Sequence, residues 1–508
     1  MRTSPTRAVR VAAVDLGATS GRIMAGTVSA ETLQLEEAHR FPNGAVRARG
    51  SLFWDVLGIH REMLAGLRKV AATGGLEAIG IDSWAIDYGL LDRDGVLLGN
   101  PYSHRDRRTD GVLERVAHEI DPAELYGITG IQQLPFNTLY QLVAARGTAA
   151  LEAAATLLLL PDLLGYWLTG ELGAERTNAS TTQLYDARSG DWSVELANRL
   201  GIPWSILPAI RDAGSVIGPV LGDTARHLGL LERVPVIAVG SHDTASAVVG
   251  VPASDEHFAY ISSGTWSLVG VELDGPVLTE PARQANFTNE VGIDGTVRFL
   301  TNVMGLWVLS EAIRTWQDQN VPDAVLVSLL AAAADAPPLV SVVDINDARL
   351  LPPGDIPARI ATLAGEAGEP VPRTPVALTR CILDSLALAY RRHVREAGEL
   401  AGKRIDVVHV VGGGSQNQLL CQLTADACGL PVLAGPAEAA ALGNVLVQAR
   451  TLGLDLPDLP AMRALVRRTH EVTLFEPRSG AGDWDAAESR LFTATAPRGA
   501  SLVDGGRS

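Results

Sequence analysis

Residues 9–28, VRVAAVDLGATSGRIMAGTV, are the stretch that decides the fold. They predict two apolar strands joined by a turn of glycine and hydroxyl residues. A second stretch, residues 258–273, FAYISSGTWSLVGVEL, has the same strand–turn–strand layout close to half a chain further on. Because a repeated unit indicates a duplicated architecture, we predict an α/β protein of two related domains, each offering one turn to a shared interdomain cleft.

The turn in the first stretch has the chemistry of a phosphate-binding loop. Glycine lets backbone N–H groups approach an anion, hydroxyls add hydrogen-bond donors, and an arginine adds a positive charge. Asp15 ends the preceding strand, where it could hold a magnesium ion through water. A glycine-rich turn that only reverses the chain is the alternative. The residues of this predicted loop are Ala18, Thr19, Ser20, Gly21 and Arg22.

Residues 239–249, VGSHDTASAVV, place polar side chains between an apolar strand and a helix of small residues. The exit of a buried strand is where open α/β sheets keep their chemistry, because the scaffold is rigid and the site opens to solvent. We interpret Asp243 as a catalytic base. The alternative is a helix N-cap, since a helix follows almost at once.

Other segments fill in the layout. An apolar strand-like run is interrupted by Asp82, Trp84 and Asp87. These side chains either contact a hydroxylated ligand or cap a turn. Residues 412–414, GGG, follow a strand and would let a planar ligand lie close to the backbone. We further predict an amphipathic helix over 302–316, an irregular surface segment over 337–372, a long helix over 375–402, and a tail from about residue 453 with a helix over 483–492. The predicted domains are 8–248 and 249–452, with 453–508 as the tail.

Composition excludes several classes of protein. The chain of 508 residues is long enough for two cores. A net charge of −16 would repel a phosphate backbone, so we expect no nucleic-acid partner. The apolar runs are too short to span a bilayer, and the three cysteines lack the spacing of a disulfide frame or a zinc site, so we expect a cytoplasmic protein. The two lysines, Lys69 and Lys403, lie outside any P-loop context.

Two phosphate-type turns, a third glycine turn and one aspartate form a coherent set. They describe a nucleotide lying between two domains, with Asp243 facing its terminal phosphate. Phosphoryl transfer needs in-line positioning, charge neutralisation and a carboxylate that accepts the proton of the nucleophile. The residues therefore predict an enzyme that transfers phosphate from a nucleotide.

The chain also resembles the FGGY family of carbohydrate kinases. The resemblance rests on motifs that occur in order from about residue 9 to 448, including VDLGATSGR, GIDSWAIDYGLLD, HRDRRT, TNASTTQL, GSHDTASAV, ISSGTWSLVG, NVMGLW and VGGGSQNQLLCQLTADACGLPV. It implies a duplicated actin-like, ribonuclease-H-type fold with ATP in the interdomain cleft and Mg²⁺ as cofactor. It implies Asp243 as general base, and sugar contacts from His242, Thr244, Asn302 and the loop at Ala85.

The same resemblance assigns the nucleotide side. It implies that residues 18–22 and Thr265 bind the phosphates and that Gly413, with its neighbours in 412–414, lies by the adenosine. Two positions depart from the family pattern. Ala85 stands where a glycine is usual in the sugar loop, and Ser310 stands where a glutamine would approach ATP. An added methyl group at Ala85 would crowd the sugar.

The reaction implied by the resemblance is ATP-dependent phosphorylation of L-rhamnulose to L-rhamnulose 1-phosphate. Fuculose and xylulose are alternative ketose substrates. A nucleotide-dependent sugar sensor on the same scaffold is a hypothesis of a different class, and it would need no catalytic base. The sequence leaves the oligomeric state open.

Overall fold

A computed structural model describes residues 7–322, 324–480 and 482–493 of the chain. The strands, in chain order, are β1 (Val9–Leu16), β2 (Ser20–Val28), β3 (Leu33–Pro42), β4 (Ala45–Ala48), β5 (Ser51–Trp54), β6 (Ala78–Ser83), β7 (Tyr88–Leu91), β8 (Thr156–Leu159), β9 (Ala174–Glu175), β10 (Tyr185–Asp186), β11 (Asp191–Trp192), β12 (Ile210–Arg211), β13 (Val216–Pro219), β14 (Pro235–Ile237), β15 (Phe258–Ser263), β16 (Trp266–Leu273), β17 (Thr288–Val291), β18 (Val297–Met304), β19 (Val407–Val411), β20 (Val432–Ala434) and β21 (Thr473–Phe475).

The α-helices are α1 (Val56–Ala72), α2 (Val112–Glu119), α3 (Pro122–Thr129), α4 (Thr138–Ala145), α5 (Ala149–Ala153), α6 (Leu160–Thr169), α7 (Arg176–Ala179), α8 (Val194–Arg199), α9 (Gly222–Leu228), α10 (Asp243–Val249), α11 (Glu280–Gln284), α12 (Trp307–Asp318), α13 (Leu326–Ala334), α14 (Ile356–Glu366), α15 (Pro375–Ala401), α16 (Gln418–Cys428), α17 (Ala439–Thr451), α18 (Leu459–Thr469) and α19 (Trp484–Thr493). None of the described helices is both long enough and apolar enough to span a bilayer.

Two mixed sheets form the framework, and they share one pattern of pairing. The first has the order β13-β14-β6-β1-β2-β3 and the second β17-β18-β16-β15-β19-β20-β21. In each, the predicted hairpin pairs antiparallel, as β1 with β2 and β15 with β16. In each, the first hairpin strand then pairs parallel with a later strand, as β1 with β6 and β15 with β19. The matching topology is that of a duplicated two-domain α/β fold of the actin-like class.

Helices α10 and α17 lie between the two sheets. Apolar residues of β1 pack with α17 and α18 in one buried cluster, and residues of α10 pack with β15 in another. The crossing of the two helices is close, because a side chain at Gly443 of α17 would overlap the carbonyl oxygen of Ser246 in α10. The two helices therefore join the two halves of the molecule and place the start of α10 beside the space between them.

Three expected segments differ in the structure. Asn302 lies in strand β18, and the helix begins only at Trp307, because residues 297–304 pair with both β16 and β17 in the second sheet. The expected surface segment over 337–372 contains α14 and contributes Val342, Val343 and Ile345 to the second core, where their apolar surface is removed from water.

The described part of the expected tail is built into the fold, whereas residue 481 and residues 494–508 lie outside the described residues. Helix α18 follows residue 453 and buries Met462 and Leu465 against β1 and α17. Strand β21 then pairs antiparallel with β20 at the edge of the second sheet. Helix α19 begins at Trp484, close to the start expected from the sequence. The apolar spacing of these short elements is too weak to be read without knowing what they pack against.

Candidate active site

A cleft of about 490 Å³ lies between the two halves and receives side chains from both. It is lined by most of the residues expected from the sequence: Asp15, Ala18, Thr19, Ser20, Arg22, Ala85, His242, Asp243, Thr244, Thr265, Asn302 and Gly413. Gly21 and Ser310 are not on its wall. Gly21 lies beneath the ring of Phe41, which leaves no room for a side chain, and Ser310 is exposed on α12.

Asp243 is the first residue of α10 and lies at the centre of the cleft. His242 occupies the N-cap position, and no side chain caps the helix, so the N-cap interpretation of Asp243 is wrong. Its side chain is 33% exposed and accepts a hydrogen bond of 3.2 Å from the Thr244 hydroxyl. Burial of its surroundings and the nearby charge of Asp15 raise the pKa of Asp243, whereas His242 opposes this rise. The carboxylate is thus held at a helix start with a face open to a ligand.

A buried carboxylate, Glu175, anchors the turn that carries Asp243. Its Oε2 accepts hydrogen bonds from the Ser241 backbone at 3.0 Å and the Ser241 hydroxyl at 2.8 Å. It also accepts hydrogen bonds from the backbone and hydroxyl of Thr177 at 3.0 and 2.5 Å. The Thr177 hydroxyl in turn accepts from the His242 backbone at 3.3 Å. Sequence reasoning missed Glu175, because its contact with Ser241 joins residues that lie 66 positions apart in the chain.

His242 connects the site to a buried ion pair. Its Nδ1 lies 3.1 Å from Glu290 Oε2, and the same Glu290 oxygen lies 3.1 Å from Arg298. Burial by itself would raise the pKa of Glu290, but the charges and hydrogen bonds of Arg298 and His242 together hold that pKa below its usual value. Both residues come from the strands β17 and β18 of the second half. Neither carried a sequence signal, because their contact with His242 depends on how the halves pack.

The loop at Ala85 is held by the buried carboxylate of Asp87, which accepts hydrogen bonds from several side chains. Asp87 accepts hydrogen bonds from the indoles of Trp54 and Trp84 at 2.7 and 2.9 Å. It also accepts from Gln141 at 2.9 Å and lies 2.8 Å from Nδ1 of His104. Burial opposes the charged form of Asp87, but His104 and the donors keep its pKa below the usual range. This network fixes the backbone beside the cleft, so Asp87 supports the wall and Ala85 lines it.

The adjoining backbone is strained. Ile86 has a φ of 69°, and its carbonyl accepts a hydrogen bond of 2.7 Å from the Thr138 hydroxyl. A β-branched residue rarely adopts a positive φ, and such strain persists only where surrounding contacts fix the backbone. The loop that carries Ala85 and Ile86 is therefore held in one conformation where it lines the cleft.

Asn302 is held on the opposite wall by Gln132. The Gln132 side-chain oxygen accepts from the Asn302 amide nitrogen at 2.9 Å and from its backbone at 3.2 Å. Gln132 belongs to the first half and Asn302 to the second. The pair therefore forms a hydrogen-bonding surface that both halves share.

The first glycine turn has the expected shape, and its arginine, Arg22, pairs with two carboxylates. The Gly17 backbone donates to the Ser20 carbonyl at 2.9 Å, which closes the turn. Arg22 donates to Asp15 at 2.6 Å and pairs with Glu438 at the start of α17. Burial by itself would lower the pKa of Arg22, but the two carboxylates raise it. Its charge thus joins the two halves of the molecule through Asp15 and Glu438.

The second and third glycine turns meet each other. The Gly264 backbone donates to the Trp266 carbonyl at 2.9 Å, and the Trp307 backbone donates to the Thr265 carbonyl at 3.2 Å. Gly412 has a φ of +81°, and a side chain there would lie 2.8 Å from the Ser263 carbonyl oxygen. Glycine is required at this close approach, which brings the 412–414 turn against the hairpin turn.

A third carboxylate lies behind Asp15 and Asp243. Asp82 is the strand neighbour of Asp15 in β6 and is fully buried. Burial and the charge of Asp15 raise its pKa well above the usual value. Asn444 of α17 donates to its Oδ2 at 2.5 Å, whereas its Oδ1 has no hydrogen-bond partner among the described residues. The described residues contain no cluster of three or more side chains that could hold a metal ion by themselves.

Two halves of matching topology, a cleft between them and a carboxylate flanked by glycine turns are the arrangement expected of a kinase that binds its nucleotide between two domains. Comparison with known proteins assigns the family. The profile of the FGGY family of carbohydrate kinases, N-terminal domain, matches residues 11–250, and the profile of its C-terminal domain matches residues 259–452. The chain belongs to the FGGY family of carbohydrate kinases.

Similar proteins agree with this assignment. The chain is 44% identical over 497 residues to a rhamnulokinase of Pectobacterium carotovorum subsp. carotovorum, covering 96% of this chain and 98% of that relative. It is 42% identical over 478 residues to a rhamnulokinase of Bacteroides thetaiotaomicron, covering 94% and 97%.

Solved structures share the fold. A gluconate kinase from Lactobacillus acidophilus superposes with a TM-score of 0.79 at 17% identity, covering 95% of this chain and 96% of that one. A glycerol kinase of Plasmodium falciparum with ADP superposes with a TM-score of 0.75 at 15% identity, covering 95% and 96%.

Proposed function

We propose that this protein transfers the γ-phosphoryl group of ATP to the 1-hydroxyl of L-rhamnulose, in the cytoplasm, as a step of L-rhamnose catabolism. The products are ADP and L-rhamnulose 1-phosphate. Support for this substrate comes from the relatives of 42% and 44% identity named rhamnulokinase. The observation that carries the chemistry is the partly exposed Asp243 carboxylate, which lies in the cleft between the Ala85 wall and the two glycine turns.

In this mechanism Asp243 acts as the general base. It accepts the proton of the sugar hydroxyl as the hydroxyl oxygen bonds to phosphorus and the bond from phosphorus to the ADP oxygen breaks. The clamp of Glu175 on Ser241 and Thr177 fixes the backbone that carries Asp243. Fixed geometry matters because misplacing a reacting group by about 1 Å can cost about 100-fold in rate.

The two ligands occupy different parts of the cleft. The sugar lies against Ala85, His242, Thr244 and Asn302, whose hydroxyl, amide and imidazole groups recognise hydroxyls. The phosphates lie against the backbone of residues 18–20 and Thr265, and the adenosine lies near Gly413. Arg22 holds the first phosphate turn in place through Asp15 and Glu438.

The carboxylates fit a magnesium ion bound mainly through water and phosphate. Mg²⁺ usually keeps several waters and takes one or two carboxylates together with substrate phosphates. Asp15 and Asp243 both line the cleft, and the Oδ1 of Asp82, which has no hydrogen-bond partner among the described residues, lies behind them. These residues would hold the magnesium ion near the phosphates of ATP. The positive charge of the bound ion would neutralise the negative charge of the phosphates.

Replacing Asp243 tests the base. We expect Asp243→Asn to lower kcat by about 100-fold or more while ATP affinity stays nearly unchanged, because the amide cannot accept the proton. A coupled ADP-release assay and calorimetric titration with ATP measure the two quantities. Asp255→Asn, at an exposed loop position, is the control and should match the wild type. Full activity of Asp243→Asn would rule out this mechanism.

A panel of ketoses tests the substrate. We expect the highest kcat/KM with L-rhamnulose, compared with fuculose, xylulose and other ketoses under the same assay. A clear preference for another ketose would replace the proposed substrate but leave the kinase reaction standing. Absence of ADP release with every ketose would reject the proposed function.

A further inference from the structure

The cleft is poor in free positive charge. Among the described residues, its guanidinium and ammonium groups are those of Arg22, Arg40 and Arg105. Arg22 is paired with two carboxylates, and Arg40 is paired with Glu37 at 2.5 Å. Neither lysine lines the cleft. Among the described residues, one guanidinium group of the cleft therefore remains unpaired and could bind the phosphates of a nucleotide.

Arg105 is that cation. It lies in the loop of residues 103–106, where its backbone N–H donates to the Ser103 hydroxyl at 3.3 Å. In the described part of the chain, its guanidinium makes no hydrogen bond or ion pair. It lies 5.2 Å from the ring centroid of Trp307, in the other half of the molecule. Partial burial lowers the pKa of Arg105, and the more distant charges of Asp87 and Glu311 oppose that effect.

Trp307 connects Arg105 to the second phosphate turn. It is the first residue of α12, and its backbone donates to the Thr265 carbonyl. A cation held over an indole face is oriented by the ring without losing its hydrogen-bond donors. The stack therefore presents the five N–H donors of a guanidinium beside the turn that receives phosphate.

We propose that Arg105 binds the phosphoryl group while it passes from ATP to the sugar. This assignment rests on the proposed function. Charge spreads over the three outer oxygens of that group during transfer, and a planar guanidinium fork matches such oxygens. Among the described residues, the other guanidinium groups of the cleft are paired with carboxylates, so Arg105 is the side-chain cation left to offset the incoming charge. Arg105 is thus a catalytic residue supplied from the first half across the cleft.

The test compares Arg105→Gln and Arg105→Lys with a control in the same loop. Arg107→Gln serves as control, because the Arg107 side chain is 91% exposed and pairs with Asp110. With whichever ketose the wild type prefers, we expect Arg105→Gln to lower kcat about 100-fold. We expect the KM for ATP and ketose to change less than about threefold, and Arg105→Lys to recover part of the rate. Thermal unfolding confirms that each variant is folded.

A second measurement separates this proposal from the substrate assignment. Calorimetry compares binding of ADP with Mg²⁺ to binding of ADP with Mg²⁺ and aluminium fluoride, a mimic of the phosphoryl group in transfer. We expect Arg105→Gln to bind ADP with wild-type affinity. We expect aluminium fluoride to increase the affinity of this variant for ADP by a factor about tenfold or more smaller than in the wild type. This readout needs no ketose, so it tests Arg105 even if the proposed sugar is wrong.

Three results would overturn the assignment. They are a kcat of Arg105→Gln within about threefold of the wild type, an equal loss in Arg107→Gln, and an unchanged gain from aluminium fluoride. A rise in the ketose KM without a fall in kcat would instead make Arg105 a sugar-binding residue.

Discussion

Asp243 owes its position to residues that lie far from it in the sequence. Glu175 holds Ser241 through two hydrogen bonds, and it also holds Thr177, which receives the His242 backbone. Burial raises the pKa of Glu175, while its donors oppose that rise. One buried carboxylate thus fixes the turn formed by Ser241, His242 and Asp243, the proposed base.

Replacing Glu175 should loosen this turn without removing the base. We expect Glu175→Gln to lower kcat about tenfold with less than a threefold change in either KM, because the amide group offers one acceptor where the carboxylate offered two. The unpaired donors should also reduce the free energy of unfolding by about 1–3 kcal/mol. Steady-state kinetics and denaturant unfolding measure these effects.

Glu171→Gln is the matched control for this change. Glu171 is exposed, so kinetics and stability should stay at wild-type values. If Glu175→Gln retained the wild-type kcat, Glu175 would have no part in positioning Asp243.

At the scale of elements, the crossing of α10 and α17 sets the geometry of the site. Gly250 follows α10, and a side chain there would overlap the Ala439 carbonyl oxygen at the start of α17. Gly443 makes the reciprocal approach from α17 to Ser246. Both overlaps involve backbone atoms, which cannot move as side chains do. The helix that begins with Asp243 is therefore held against the helix that begins beside Glu438.

A single methyl group should disturb this crossing. We expect Gly443→Ala to reduce the free energy of unfolding by about 2 kcal/mol and to lower kcat about tenfold, because α10 must shift together with Asp243. Thermal or denaturant unfolding and the ADP-release assay check both effects.

Gly127→Ala is the comparison within a helix. Gly127 lies in α3, and a side chain there meets nothing within 4 Å. This variant should be neutral or more stable by up to about 1 kcal/mol, as alanine favours helix. Equal behaviour of the two variants would show that the crossing tolerates the added group.

At the scale of the whole molecule, α18 ties the two halves together through one arginine. Arg463 binds Glu272 of the second sheet through two hydrogen bonds, at 2.8 and 3.0 Å. It also donates to the Val248 carbonyl of α10 at 3.0 Å and lies 5.2 Å from the ring centroid of Phe258. Its side chain is only 7% exposed. Helix α18, which follows residue 453, is therefore part of the framework.

Removing this arginine should weaken the whole fold. We expect Arg463→Gln to lower the free energy of unfolding by about 3 kcal/mol or more, because Glu272 would remain nearly buried without its partner. Denaturant unfolding measures the loss. Arg404→Gln is the control, since the Arg404–Asp406 pair is exposed and should contribute less than about 1 kcal/mol. Similar losses in both variants would contradict the structural role of Arg463.

Much of the fold could be predicted because its signals are local. The two hairpins, the long helix ending before Gly402 and the glycine turn at 412–414 follow from apolar spacing and glycine placement within short windows. Strand β18 was not recognised, because the apolar run around Asn302 fits a helix or a strand equally well. Its pairing with β16 decided between them.

Some features of the candidate site could likewise be predicted from the sequence, whereas others appear only in the tertiary structure. Sequence by itself determined Asp15, Asp243 and the glycine turns, since these residue types at strand exits carry a chemical meaning before any packing is known. Only the tertiary structure decided that Arg22 pairs with Glu438 and that Glu175 anchors the turn before Asp243. It also decided that Arg105 lies over Trp307 with no ion pair among the described residues. The physical reason is that charge pairing depends on distances between side chains far apart in the chain, and only the packing of the two halves sets those distances.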